Sequence, residues 1–253
     1  MIDLNSHILP GLDDGPEMME ESIEMAKTAV EQGIDTMVAT PYHFHRKYNN
    51  PKSLILQKTA QLNDELFQQG IDLTVLPGQE IKVNRDMDTL KDELLPINQN
   101  SGYVFLELPN HDLPHYTSQV MYDIQMLGYK PVLVHPERNE TLREHPNELY
   151  NFVRNGAITL VTAASIAGKL GREVQKFSYQ MIEFNLAHLV ASDARDRKKR
   201  GFFMKEAYNK IERKFGADLM YQFMENAHVV LEGEMVYAEP PERIRTKKRL
   251  GIF

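Results

Sequence analysis

Pro131-Val132-Leu133-Val134-His135-Pro136-Glu137-Arg138 passes from an apolar run into an imidazole, a carboxylate and a guanidinium within a few residues. A short, continuous apolar run suits a strand buried on both faces, as in a parallel sheet. The polar group then sits just past the C-terminal end of that strand. The same arrangement recurs along the chain. Ile2–Leu4 leads to Asn5, His7, Asp13 and Asp14; Thr36–Ala39 to Thr40-Pro41-Tyr42-His43; Leu73–Leu76 to Gly78-Gln79-Glu80. Tyr103–Leu106 ends in Glu107, Ile158–Val161 in Thr162-Ala163-Ala164-Ser165, and Leu189–Ala191 in Ser192-Asp193-Ala194-Arg195.

Helices are expected between these runs. Four segments have proline near the start and glycine just past the end: Pro16 to Gly33, Pro51 to Gly70, Pro114 to Gly128 and Pro146 to Gly156. Proline is tolerated where a first-turn N–H has no partner, and glycine accepts the left-handed conformation after a helix. Met19, Ile23, Ala26 and Val30 carry the helical spacing, as do Ile55, Thr59, Leu62 and Leu66. Further helices are expected near 172–186 and about 203–215. Strand alternating with helix is the βα pattern. Seven such runs without a linker or composition shift favour one closed barrel over two domains. A doubly wound open sheet is the competing fold, but no GxGxxG or P-loop signature supports it.

The bulk composition narrows the chemistry. The 253 residues are 42% hydrophobic and 26% charged, as in an ordinary globular protein, and no run of ~18 apolar residues predicts a membrane span. The start, Met1-Ile2-Asp3-Leu4-Asn5, has neither a basic nor an apolar leader region, so no signal peptide is expected and a cytoplasmic location fits. Cysteine is absent, which excludes disulfides, thiolate metal sites and the cysteine nucleophile of ordinary tyrosine phosphatases. A net charge of −7 argues against a general nucleic-acid binder. The basic stretch Arg243-Ile244-Arg245-Thr246-Lys247-Lys248-Arg249 reads as a short solvated tail over about 243–253, with an acidic surface or partner segment as the alternative.

In a barrel all strand C-termini open onto one face, so the polar groups become neighbours in space. Histidines and carboxylates converging there without cysteine are ligands for a first-row metal. A lone strand-end His or Glu is more often a hydrogen-bonded structural residue; five or more at the same end reverse that weighting. Glu80 and Glu107 each terminate an apolar strand, where an unpaired carboxylate is costly and a metal ion or arginine is its natural partner.

The order Met1-Ile2-Asp3…His7-Ile8-Leu9-Pro10-Gly11-Leu12-Asp13-Asp14-Gly15, Ala39-Thr40-Pro41, Pro77-Gly78-Gln79-Glu80-Ile81, His135-Pro136-Glu137-Arg138-Asn139 and Ala191-Ser192-Asp193-Ala194 resembles the PHP (polymerase and histidinol phosphatase) superfamily, nearest its CpsB/CapC (YwqE-like) branch. The resemblance runs through nearly the whole chain, to Arg249-Leu250-Gly251-Ile252-Phe253. It implies a distorted TIM-like (β/α)7 barrel of the PHP type, one metallophosphatase domain over 1–253, and manganese-dependent tyrosine phosphatase activity. The implied substrate is the phosphorylated, tyrosine-rich C-terminal tail of a bacterial kinase that controls capsular or exopolysaccharide synthesis. Carried over residue by residue, the first metal falls on Asn5, His7, Glu80 and Asp193, and the second on Glu80, Glu107 and His135. The third falls on Asp14, Tyr42 and Arg195, and the phosphate-gripping arginines on Arg138 and Arg200.

The chain departs from the pattern where histidines are expected: Asn5 and Tyr42 stand in a His-x-His and a Thr-Pro-His, and Arg195 in a Ser-Asp-Ala-His. The first site is then expected to keep three ligands plus the Asn5 amide oxygen, while the third loses both imidazoles. Two Mn2+ ions are expected, with Fe or Zn as substitutes, and Arg195 brings a fixed positive charge near Asp14. His43 or His45 is the alternative replacement ligand. Tyr42, His43 and Asp14 remain open as the acid that protonates the leaving group. Two other functions stay in play: a catalytically impaired homologue that binds phosphotyrosine or regulates, and a small-molecule phosphatase.

Overall fold

Each of the seven apolar runs forms a strand in the computed structural model, which describes residues 1–85 and 91–244. The strands are β1 (Ile2–Ser6), β2 (Thr36–Ala39), β4 (Thr74–Pro77), β6 (Tyr103–Glu107), β7 (Lys130–Val134), β8 (Ile158–Thr162) and β9 (Leu189–Ala191). Two short strands, β3 (Tyr42–His43) and β5 (Glu80–Lys82), continue β2 and β4 after a break. Pro41 interrupts the first because it has no N–H for the ladder. At the second, Gly78 lies so close to Val38 and Ile97 that a Cβ would meet their side chains at 2.8 and 2.9 Å.

All pairing is parallel. The breaks divide the strands into a three-stranded sheet, β1-β2-β4, and a six-stranded sheet, β3-β5-β6-β7-β8-β9. The circle closes through a single bridge, Ser6 to Ala194, with His7 N–H donating to Ala194 O at 2.8 Å and Asp193 N–H to Asn5 O at 2.9 Å. A register irregularity between Asp3 and Ser6 bends β1 towards that closure. The result is the distorted barrel anticipated above.

Alternation along the strands makes two cores. Leu4, Val38, Phe105, Val132, Val134, Leu160 and Leu189 fill the barrel. Met37, Val75, Val104, Leu106, Leu133, Val161 and Val190 face the surrounding helices. The expected helices are α1 (Met19–Glu31), α2 (Lys52–Gln68), α3 (Thr117–Met126), α5 (Pro146–Arg154), α7 (Arg172–Glu183) and α8 (Met204–Phe215). Three more were not anticipated: α4 (Glu140–Glu144), α6 (Ala163–Ala167) and α9 (Ala217–Glu232). The first two are single turns at strand ends, too short to show a period. Helix α9 puts Ala227 and Val230 into the barrel core and so covers the end opposite the polar groups. It is fastened there by Asn226, whose Nδ2 donates to His188 O at 3.0 Å and to Tyr237 O at 3.1 Å. No helix among the described residues is long and apolar enough to cross a membrane. The basic tail expected over about 243–253 lies outside the described residues from position 245 onward.

His188, at the start of β9, is buried, and its Nδ1 accepts the Thr159 N–H at 3.1 Å. Burial pushes its pKa down to about 4, from 6.5. Above pH 6.5 the ring is neutral in both folded and unfolded chains. Below it only the unfolded chain takes up the proton, so stability falls as pH drops from about 6.5 towards 4, by ~3 kcal/mol. We predict that His188→Asn, which keeps an acceptor without the titration, flattens this acid-side loss. Urea midpoints of both proteins at pH 7 and pH 5 check it; an equal drop in both would exclude His188 as the cause.

Candidate metal centre

The strand ends deliver their side chains through strained backbone. His135, after β7, has φ +40°, and Asp193, after β9, has φ +51°. A left-handed conformation costs a non-glycine residue roughly 1–3 kcal/mol and persists only where the surroundings enforce it. Here it turns both residues off their strands and into the cavity.

Five of the six residues predicted for two metal ions meet there, all buried: His7, Glu80, Glu107, His135 and Asp193. His7 Nε2 lies 3.3 Å from Asp193 Oδ1 and 3.9 Å from Glu80 Oε2. His135 Nε2 lies 3.3 Å from Glu80 Oε1 and 3.9 Å from Glu107 Oε1. Glu80, paired with Tyr42 in the β3–β5 register, therefore presents one oxygen to each histidine. Despite burial, the His135 hydrogen bond draws its pKa below the ordinary value. Lys82 Nζ takes the other Glu107 oxygen at 2.9 Å, a partner the sequence reading missed although it lies two residues after Glu80 on the same face of β5.

Asp13, not Asp14, is the acid beside His7. Its Oδ2 is 2.5 Å from His7 Nδ1 and accepts the Tyr42 N–H at 3.2 Å. A carboxylate on one imidazole nitrogen fixes the ring and frees the other nitrogen for a cation. Burial and the Arg195 charge oppose protonation of His7, yet Asp13 and Asp193 hold its pKa up at about 9. The neighbours of Nε2 thus call for positive charge, and Nε2 itself has no hydrogen-bond partner.

One expectation needs correction. The Asn5 amide oxygen is not aimed at the first metal position: it accepts the Thr40 hydroxyl at 2.8 Å, while Nδ2 donates to Glu80 Oε2 at 2.9 Å. Asn5 therefore acts as a hydrogen-bond donor to a ligand carboxylate. The charge expected beside Asp14 is there, since Arg195 binds one of its oxygens and Arg200 Nη1 the other at 2.7 Å. These guanidinium groups overcome burial and keep the Asp14 pKa below the usual carboxylate value, favouring its ionised form. Neither neighbouring histidine belongs, among the described residues, to a group of side chains placed to share a metal ion. His43 packs edge-on against Phe44 at 4.2 Å, both ring nitrogens unpartnered, and His45 stacks on the Tyr42 ring at 4.7 Å.

Arg138 and Arg200 lie on one side of the cavity. With Lys199, Ser192 and Asp193 they line a pocket of about 170 Å³. Arg138 Nη2 binds Asp193 Oδ2 at 2.6 Å and the Thr162 hydroxyl at 2.9 Å, leaving Nε without a partner. Asp193 is clamped from both sides, because Arg195 Nη2 binds its Oδ1 at 2.9 Å. The paired guanidinium groups outweigh burial and hold the carboxyl well below its ordinary pKa. Glu137, which the sequence groups with His135 and Arg138, is structural: its Oε1 accepts the Thr162 N–H at 3.0 Å and the Ser165 hydroxyl at 2.7 Å, capping α6.

The donor sets fit metal ions at two positions. Glu80, Glu107 and His135 form one set, and His7, Glu80 and Asp193 another, with the orphaned His7 Nε2 aimed between the carboxylates. A third set, His7 with Asp13 and Asp14, fits less well: guanidinium groups engage Asp14 as they do Asp193, but here the imidazole nitrogen is taken too, since His7 Nδ1 pairs with Asp13 while Nε2 faces Glu80 and Asp193.

Residues 1–232 match the family model described as capsular polysaccharide synthesis, CpsB/CapC. The tyrosine-protein phosphatase YwqE of Bacillus subtilis (strain 168) is 42% identical, aligned over the whole of both chains. The putative tyrosine-protein phosphatase CapC of Staphylococcus aureus is 33% identical, also over the whole of both. CpsB of Streptococcus pneumoniae, a tyrosine-protein phosphatase, is 26% identical over 93% of this chain and 100% of its own. A chain from the crystal structures of Bacillus subtilis YwqE and Streptococcus pneumoniae CpsB, described as unique metal-dependent tyrosine phosphatases, superposes with a TM-score of 0.93 at 42% identity, covering 97% of this chain and 100% of that one. An organophosphorus hydrolase from Deinococcus radiodurans shares the fold alone, with a TM-score of 0.58 at 11% identity over 91% of this chain and 92% of its own.

Gly15 holds the Asp13–Asp14 loop against His7, since a Cβ there would run into the His7 carbonyl oxygen, which is backbone and has no room to yield. We predict that Gly15→Ala costs ~1–3 kcal/mol and lowers the melting temperature by roughly 3–10 °C. Thermal unfolding by circular dichroism checks it, and an unchanged midpoint would show that the loop moves freely.

Proposed function

Because the chain belongs to the CpsB/CapC family of capsular polysaccharide synthesis proteins, we propose that it is a metal-dependent protein tyrosine phosphatase. Its substrate is the phosphotyrosine-bearing C-terminal tail of a bacterial tyrosine kinase that governs capsular or exopolysaccharide synthesis, met in the cytoplasm. The observation that carries this reading is the convergence of His7, Glu80, Glu107, His135 and Asp193 in one cavity of a chain aligned end to end with YwqE.

Glu80, Glu107 and His135 would hold one ion, and His7, Glu80 and Asp193 the other; Mn2+ would suit these hard carboxylate and imidazole donors. When bound, such ions supply Lewis acidity and activate water as the nucleophile. Arg138 and Arg200 bind the phosphoryl oxygens, where charge-assisted contacts stabilise the transferring group. Thr162 and Asp193 hold the Arg138 fork in place. Asp13 orients His7, and Lys82 orients Glu107. Tyr42, whose hydroxyl accepts from Arg195 Nη2 at 2.6 Å, keeps its own proton: burial and the nearby Glu80 push its pKa far above the ordinary phenol value.

A second reading has one observation in its favour. Asn5 donates to Glu80, and two guanidinium groups saturate Asp193, so N–H groups already satisfy much of the first metal set. In that reading the protein binds phosphotyrosine without turnover. The discriminating measurement is hydrolysis of p-nitrophenyl phosphate and of a tyrosine-phosphorylated peptide with added Mn2+. We predict turnover that is abolished by EDTA and lowered about 100-fold or more by Glu107→Gln or His135→Ala, since even groups behind the ligands contribute 10–100-fold. Silence of the wild type with retained phosphopeptide binding would select the second reading. Arg138→Ala and Arg200→Ala should each weaken inhibition by inorganic phosphate by ~10-fold, equivalent to the loss of one charge-assisted contact. Unchanged inhibition in both would leave them as structural ion-pair partners of Asp193 and Asp14.

A further inference from the structure

Among the described residues three carboxylate–imidazole groups surround the cavity, and the Arg195 guanidinium joins two of them, binding Asp14 in one and Asp193 in the other. The Arg195 side chain is only 2% exposed. Its Nη1 binds Asp14 Oδ1, and its Nη2 binds both Asp193 Oδ1 at 2.9 Å and the Tyr42 hydroxyl at 2.6 Å. The guanidinium carbon lies 4.8 Å from the centre of the Tyr42 ring, and His45 stacks on that ring at 4.7 Å. The backbone is anchored too, with Arg195 N–H donating to Arg200 O at 2.8 Å. We infer that Arg195, seated on Tyr42, is a resident cation that permanently takes the position of a third metal ion, so that the centre loads at most two.

The chemistry of the surrounding groups supports this assignment. A third ion near His7, Asp13 and Asp14 needs free lone pairs. Both Asp14 oxygens bind guanidinium groups, one Asp13 oxygen is on His7 Nδ1, and its other accepts the Gly15 N–H at 3.0 Å. A dication would also sit beside a buried guanidinium that cannot lose its proton, and like charges repel strongly where water is excluded. Among the described residues, neither His43 nor His45 belongs to a group of side chains placed to share a metal ion. Tyr42 suits the arrangement physically: its face attracts the guanidinium and its hydroxyl accepts an N–H, so one side chain contributes a cation–π contact and a hydrogen bond. The wall formed by Asp14, Tyr42 and Asp193 is consequently organised without any metal.

The inference rests on the phosphatase reading only for its catalytic meaning; the ion count stands apart from turnover. The experiment is Mn2+ binding by calorimetry, with elemental analysis after gel filtration, on the wild type and on the combined variant Asn5→His, Tyr42→His, Arg195→His. We expect no more than two ions in the wild type and one additional ion in the variant. Melting temperatures in EDTA and in Mn2+ give a second readout: the variant, without its resident cation, should fall further in EDTA than the wild type and recover more on Mn2+ addition. Three tightly bound ions in the wild type would overturn the inference, as would a folded variant that binds no more Mn2+ than the wild type. Should the triple variant fail to fold, the wild-type count alone decides. A wild type that binds two ions and hydrolyses no aryl phosphate would leave this inference standing and remove the phosphatase reading.

Discussion

The carboxylate of Asp193 accepts from Arg138 on one oxygen and from Arg195 on the other, at 2.6 and 2.9 Å, with almost no exposure to water. Burying an ionised carboxylate is tolerable only when such partners replace its hydration. The pairing also ties together segments far apart in sequence. Arg138 follows β7 and reaches Thr162 at the end of β8; Arg195 reaches Asp14 in the loop after β1 and Tyr42 in β3. The barrel needs this reinforcement. Between β1 and β9 there is one bridge, at Ser6 and Ala194, in place of a continuous ladder. The polar network at the strand ends and the α9 contacts at the other end close the circle where the ladder does not. Removing either arginine would leave a buried charge half-compensated, which typically costs ~3–5 kcal/mol.

Behind this layer, buried carboxylates without a guanidinium behave differently. Asp3 in β1 is fully buried, and burial pushes its pKa up to about 6, even though the Ser192 N–H and hydroxyl and the Asn5 N–H all bind it. Glu137 caps α6 in the same manner. Both fasten a strand end that presents a site residue, Asp3 beneath Asp193 and Glu137 beneath Arg138. The acidic residues thus divide into those that fix backbone and those that face the cavity, and only their partners distinguish them.

That division explains what the sequence could and could not reveal. Short apolar runs ending in polar groups were legible as strands, because burial on both faces leaves no polar alternation. Helices bracketed by proline and glycine were legible for equally local reasons. Helix α9 was not: its buried residues, Phe223, Asn226, Ala227 and Val230, include an amide whose partners, His188 O and Tyr237 O, exist only in the folded chain. Position along the strands put the five residues that converge in the cavity among the polar groups at one end of the barrel, and the family resemblance singled them out as a metal set. The roles of Asp13 and Asp14 could not be read that way, since they are adjacent acids of the same type. Only the arrival of Arg195 and Arg200 from the far end of the chain assigns one to His7 and the other to guanidinium groups. The direction of the Asn5 amide is likewise set from afar, by Thr40 and Glu80.

The three positions where this chain departs from the family's histidine pattern form one connected arrangement. Arg195 bonds to Tyr42 and to Asp193, and Asn5 bonds to Glu80, which faces His7 beside Asp193. Each replacement therefore donates hydrogen bonds, or accepts one from another replacement, around the same carboxylates that would otherwise meet metal. A site losing ligands piecemeal would leave buried carboxylates without compensation, a costly state. Here the Asp14 and Asp193 charges are met by guanidinium groups and Glu80 by an amide and an imidazole. At the heart of this network, His7 Nε2 has no hydrogen-bond partner and faces Glu80 and Asp193. A ring held by Asp13 with its other nitrogen aimed between two carboxylates is a place suited to positive charge, a ring proton or a cation. On the proposal made above, the replacements fill one metal position with an arginine, while the donors of the other two, Asp193 with its guanidinium partners among them, point at a common centre.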